Sequence, residues 1–143
     1  VGAYDAGRIK PGDTVEYTIY FLNSGGMNAK NVRICDRIVG AQTFVSDAYG
    51  TGKDIEYQLG SNPVRYLTKG LDPTVDRAQL DTSTGTISNC PAPTISGTNN
   101  GTVVIDITGT SSVQDTLISL PSATSPGTAN SYGYFRFKTK VNP

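Results

Sequence analysis

The residues best equipped for chemistry in this chain are two cysteines, Cys35 and Cys90, among 143 residues that include no histidine. A thiol or hydroxyl nucleophile is ordinarily activated by a neighbouring imidazole, and histidine is also the commonest general base and a common zinc ligand. Its absence argues against hydrolytic and zinc chemistry, so no catalytic residue, metal ligand or cofactor is assigned. An even cysteine count is what an exported chain with one disulfide would show, and it predicts the pair Cys35–Cys90. It would close a loop of about 55 residues and contribute roughly 4 kcal/mol in the chain-entropy description. The plain alternative is two free thiols, one on a strand and one in a loop.

Carboxylates are the next candidates. Asp72, Asp76 and Asp81 fall in one polar stretch. Aspartates converging in a loop can hold calcium through hard oxygen ligands, but this spacing matches no EF-hand or tandem-Asp motif, and turn-forming aspartates in a solvated loop are the favoured reading. Asp36 lies on the apparent core face of its strand, where an unpaired charge costs several kcal/mol. A Lys–Asp or Lys–Asn isopeptide bond would answer that need, given a buried lysine. Lys138 and Lys140 face outward by parity, which favours a hydrogen-bonded or turn-end Asp36 instead.

Tyr132, Tyr134 and Arg136 share one strand face and form an aromatic and cationic stripe. Such a stripe can meet a glycan or a protein partner, although tyrosines on an outer strand face more often pack across strands. Asn100-Gly101-Thr102 matches the N-glycosylation sequon, a match easily met by chance in a chain rich in Asn and Thr.

The elements that must position these residues are strands. Val, Ile, Tyr and Phe supply the apolar content; Thr, Ser, Gly and Asn are abundant, and there is one Met and no Trp. Strand-formers and turn-formers dominate. Twelve basic residues balance twelve acidic ones, with no basic stripe for a nucleic acid. No apolar run reaches the ~20 residues of a membrane helix. The chain starts at Val1 and shows no signal peptide, so a processed product or a trimmed domain is expected.

Thr14 to Leu22 (TVEYTIYFL) is the clearest period-two strand. Val15, Tyr17, Ile19 and Phe21 fall on one face. The turn Lys10-Pro11-Gly12-Asp13 precedes it, and Asn23-Ser24-Gly25-Gly26 breaks it. Asn31–Val39, Thr102–Thr108 and Ser131–Val141 read as further strands. Val32, Ile34, Val103, Ile105, Ile107, Phe135 and Phe137 point inward, and Ile38 shares the parity of Ile34. Shorter candidates are 43–49, 54–59, 64–67, 85–89 and 113–120, with a helical turn expected around Val75 to Leu80. Eight to ten short strands without an internal repeat predict one domain over residues 1–143, an all-β immunoglobulin-like sandwich.

Two segments resemble a known family. Lys10 to Ile38 carries Pro11-Gly12-Asp13, Tyr17, Asn23-Ser24-Gly25, Ala29 and Asp36 in the order of the conserved-repeat surface domain, found in tandem in bacterial and archaeal envelope proteins. Gly133 to Val141 is similar to its closing strand. The resemblance covers about a quarter of the chain. It implies an immunoglobulin-like sandwich, an extracellular or cell-surface location and a spacer, adhesive or assembly role, with no catalytic residues. The function expected is therefore a non-enzymatic, pilus-like structural subunit that assembles with copies of itself. The alternative is a carbohydrate-binding or adhesive module, disfavoured by the lack of Trp. The family's strand before the Pro-Gly-Asp turn is replaced here by Val1 to Lys10, in which neither face is continuously apolar. The edge of Thr14–Leu22 is then left open for a neighbour's strand.

Overall fold

The computed structural model describes residues 8–70, 77–83, 90, 100–109, 117–124 and 128–143. They form eight strands: β1 (Thr14–Leu22), β2 (Arg33–Arg37), β3 (Gln42–Phe44), β4 (Ile55–Leu59), β5 (Arg65–Leu67), β6 (Ala78–Asp81), β7 (Thr102–Asp106) and β8 (Tyr132–Val141). All named ladders are antiparallel. One sheet runs β1-β8-β4-β5, with β3 also against β8; the other runs β2-β7-β6. The two sheets enclose one core, the all-β sandwich expected from strand count and alternation.

β8 organises the larger sheet. One of its edges holds β1 in a ladder of nine pairs, from Thr14 opposite Lys140 to Leu22 opposite Tyr132. Its other edge holds β4 along Gly133–Arg136 and β3 along Thr139–Val141. The Lys10–Asp13 turn that feeds β1 has Pro11 at its second position and Gly12, at φ +91°, at its third. The Asp13 N–H donates to the Lys10 carbonyl at 3.0 Å. A type II turn requires that positive φ, which glycine adopts without steric cost. Gly133 serves a different need, because a Cβ there would meet the Gln58 carbonyl oxygen and lie 2.6 Å from Phe21 Cζ. The ring of Phe21 fills the place its side chain would take.

Strand parity sets the core. Phe135, Phe137, Tyr57, Ile55, Leu59, Val103, Ile105 and Ile107 are buried, and so is Ile38. Tyr17, Ile19, Phe21, Val32 and Ile34 pack against them but remain half-buried. They lie on β1 or on or beside β2, edge strands of their sheets, where among the described residues no further strand covers the flank.

Three expectations are corrected. The stretch around Val75 to Leu80 is no helical turn where described: Ala78–Asp81 is β6, paired with Ile105–Thr102. Ala and Leu favour helix, yet the ladder and the burial of Ala78 override that weak preference. The candidate at 43–49 is strand only to Phe44, because Asp47 takes φ 53° and Gly50 and Gly52 are also left-handed. Of the candidate strand 113–120, residues 113–116 lie outside the described residues; within 117–120, Leu117 and Leu120 pair as isolated bridges to Thr108 and Ala29 and no strand is named. Asp72, Asp76 and the candidate strand 85–89 lie outside the described residues.

Candidate assembly edge

β1 presents the longest open backbone edge of the larger sheet. Its ladder is bracketed by Val141 N–H donating to the Asp13 carbonyl at 2.9 Å and Asn23 N–H donating to the Ser131 carbonyl at 2.8 Å. An antiparallel ladder alternates inward and outward peptide groups. The odd-numbered residues therefore bond β8, and Thr14, Glu16, Thr18, Tyr20 and Leu22 turn their N–H and C=O groups away from it. No strand pairs with that side among the described residues. Natural edges are protected by Pro, Lys, bulges or short length. β1 spans nine residues with none of those residue types, and its single charge is Glu16. Tyr20 and Leu22 are 75% and 60% exposed.

The flank between β1 and β2 is tied at both ends. At one end the Asn23 amide donates to the carbonyls of Met27 (2.9 Å) and Leu120 (3.0 Å), and Ala29 and Leu120 exchange backbone bonds. At the other, the Asn100 amide donates to the carbonyls of Gly40 (2.6 Å) and Gln42 (2.9 Å), pinning the crossover from β2 to β3. The sequon asparagine thus has its amide nitrogen engaged in the fold. Beneath it, the Gln42 side-chain oxygen accepts from the Tyr17 and Thr139 hydroxyls, each at 2.8 Å. Asp36 shares the inward parity of Ile34 on β2. Its backbone pairs with Val103, but among the described residues no hydrogen bond or ion pair reaches its carboxylate, and burial pushes that carboxyl above the ordinary range.

The outer face of the larger sheet carries the predicted stripe. Tyr132 is half-buried opposite Leu22. Tyr134 packs against Tyr20 with ring centroids 6.0 Å apart and donates its hydroxyl to Glu56 at 2.9 Å. The Arg136 guanidinium lies 4.9 Å over the Tyr134 ring, 3.4 Å from Glu56 and 3.7 Å from Glu16. Lys138 lies 3.7 Å from Glu16 and 4.8 Å over Tyr49, whose hydroxyl donates to Glu16. Burial, then the neighbouring Glu carboxylates, pushes the Tyr49 and Tyr134 hydroxyls upward. The stripe is a cross-strand network whose charges are matched within the molecule; its exposed end is Tyr20. Lys138 belongs to this face, whereas Asp36 faces inward from the opposite sheet.

Cys35 and Cys90 are bonded, with Cα atoms 6.0 Å apart. Cys35 pairs across the ladder with Val104, and the bridge packs on Val104, which is only 4% exposed despite its outward parity. The sequence reading missed that burial; the continuous run Val103-Val104-Ile105 was its signal, since an unbroken apolar run marks a strand covered on both faces. Beside it, Arg33 grips Asp106 through two contacts, at 2.5 and 2.8 Å. Asp81 ends β6 opposite Thr102, and its Oδ1 accepts from the Ser83 N–H. Among the described residues no group of three His, Cys, Asp or Glu could hold a metal, and no helix is long and apolar enough to cross a membrane.

No family model matches the chain, and no curated protein matches it. Among solved structures it is similar to the crystal structure of the group B streptococcus pilus 2b backbone protein, with 16% identity and a TM-score of 0.34. The match covers 91% of this chain and 39% of that one. The chain thus spans about two-fifths of that protein's length.

Proposed function

We propose that the chain is a non-enzymatic structural module of an extracellular surface assembly, a filament or fibre subunit that joins copies of itself by β-strand addition along β1. The observation that carries this reading is the open edge of β1: nine residues with one charge, no protecting Pro or Lys, and two large apolar side chains in solvent. Each added backbone hydrogen bond contributes about 0.5–1.5 kcal/mol net, and alternate side chains fix the register. The resemblance of Lys10 to Ile38 to conserved-repeat surface domains supports a surface location, as does a disulfide, which persists in oxidising compartments. The glycan-binding alternative draws no support from the tyrosine stripe, because Tyr134, Tyr49 and Arg136 are engaged with one another or with Glu16 and Glu56.

The test is a backbone block. Thr18→Pro removes an N–H that points away from β8, so the subunit's own ladder keeps its bonds. Sedimentation and electron microscopy should show concentration-dependent assembly for the parent chain and its loss in Thr18→Pro. A monodisperse parent monomer at high concentration, without filaments, rejects the reading.

A further inference from the structure

The open edge also identifies the strand it accepts. Resting on the self-association just proposed, we infer that the added strand is the neighbour's own β1, antiparallel, with the two Thr18 residues facing each other across a two-fold axis.

Outward peptide groups can bond only outward ones, which limits the pairing to registers that set even-numbered residues opposite even-numbered residues. Of these, the register centred on Thr18 is the one that pairs the whole strand, because Thr14 and Leu22 are equidistant from it. It sets Glu16 opposite the neighbour's Tyr20 and Thr14 opposite its Leu22 on the outer face. On the inner face it sets Tyr17 opposite Ile19 and Val15 opposite Phe21. Aromatic residues against β-branched ones are favourable cross-strand pairs. The two Glu16 carboxylates stand four residues apart along the strands, about 13 Å at strand rise. A register centred on Glu16 would set them face to face and leave Tyr20 beyond Thr14–Leu22 without a partner in the neighbour's β1. The centred register also covers the side chains that the single subunit leaves in water, Tyr20 and Leu22, and shelters the half-buried row Tyr17, Ile19 and Phe21. Val1 to Lys10, the competing donor by sequence, offers no continuous apolar face. A two-fold contact is self-complementary and closes at two copies, so the first species formed is a dimer, and a longer fibre uses a second contact.

The test uses the full chain. Sedimentation across a concentration series should resolve a monomer–dimer equilibrium. Under mild oxidation Thr18→Cys should give a covalent dimer on a non-reducing gel, and Thr14→Cys, which faces Leu22, should not. Tyr20→Lys should dimerise at least about twofold more tightly than Tyr20→Glu, since both symmetry-related pairs with Glu16 are attractive in the first and repulsive in the second. Circular dichroism and a thermal melt on each variant establish that the subunit is folded. Cross-linking at position 14 but not 18, or no difference between the two Tyr20 variants, overturns the register. Loss of association on deleting residues 1–9 from a chain that still folds overturns β1 as the donor while leaving strand addition standing. A parent chain that stays monomeric overturns both.

Discussion

At the residue scale, the polar groups that matter most are those the sequence pattern passes over. Asp54 is 4% exposed. One of its oxygens accepts from the Asp47 N–H at 2.6 Å and the other from the Lys69 N–H at 2.8 Å, joining two loops around β4 and β5. Asp54→Ala leaves both donors unsatisfied and should cost about 2–4 kcal/mol. A denaturant titration showing less than about 0.5 kcal/mol would remove this role. Asp36 works in the opposite direction. Burial raises its folded carboxyl pKa above the unfolded value, so the folded state binds more protons between the two. Stability therefore falls as pH rises through that window, and the penalty persists at neutral pH. Asp36→Asn should be more stable than the parent at neutral pH, and the advantage should vanish near about pH 3, where the parent carboxyl is protonated in both states. Calorimetry at the two pH values checks it; equal melting temperatures at neutral pH would contradict it.

At the element scale, burial follows the place of a strand in its sheet. β7 and β8 are central, and their inward residues are fully buried; β1 and β2 are edges, and theirs are half-covered. Ile105→Ala should cost about 2–5 kcal/mol and Ile19→Ala about half as much in the isolated subunit. Equal costs in parallel denaturant titrations would mean that the flank is closed. That difference was not legible in the sequence. Period-two alternation assigned the inward face of β1, β2, β7 and β8 and the turns around β1, because those signals are local. It could not rank central against edge strands, which depends on pairing at long range. The same limit explains β6, whose Ala-Gln-Leu reads as helix until β7 pairs with it, and Val104, whose outward face is covered by a disulfide arriving from Cys90. In the candidate site, the open side of β1 was legible through Val1 to Lys10, which offers no continuously apolar face to pair beside it. Arg136 was not, because its outward parity says nothing of the carboxylates Glu16 and Glu56 that flank it.

At the scale of the whole molecule, the two sheets divide two tasks. The disulfide lies on the outer face of β2-β7-β6, over Val104. The open edge belongs to the other sheet, at the far side of β8 from β3, β4 and β5. A bond that restrains the unfolded chain acts on the folding equilibrium and changes little in the native surface. Stability and assembly should then be separable. Replacing Cys35 and Cys90 together by Ser removes a constraint worth about 2–4 kcal/mol and should lower the melting temperature. The dissociation constant of the dimer, measured well below that new midpoint, should change less than about threefold, or under about 0.7 kcal/mol at room temperature. Thr18→Pro should show the reverse pattern: association lost, with a melting temperature at low concentration close to the parent's. Melts and sedimentation on both variants form a two-by-two comparison. If removing the disulfide dissolves the dimer at temperatures where the subunit remains folded, the two sheets are coupled and the division of labour is wrong.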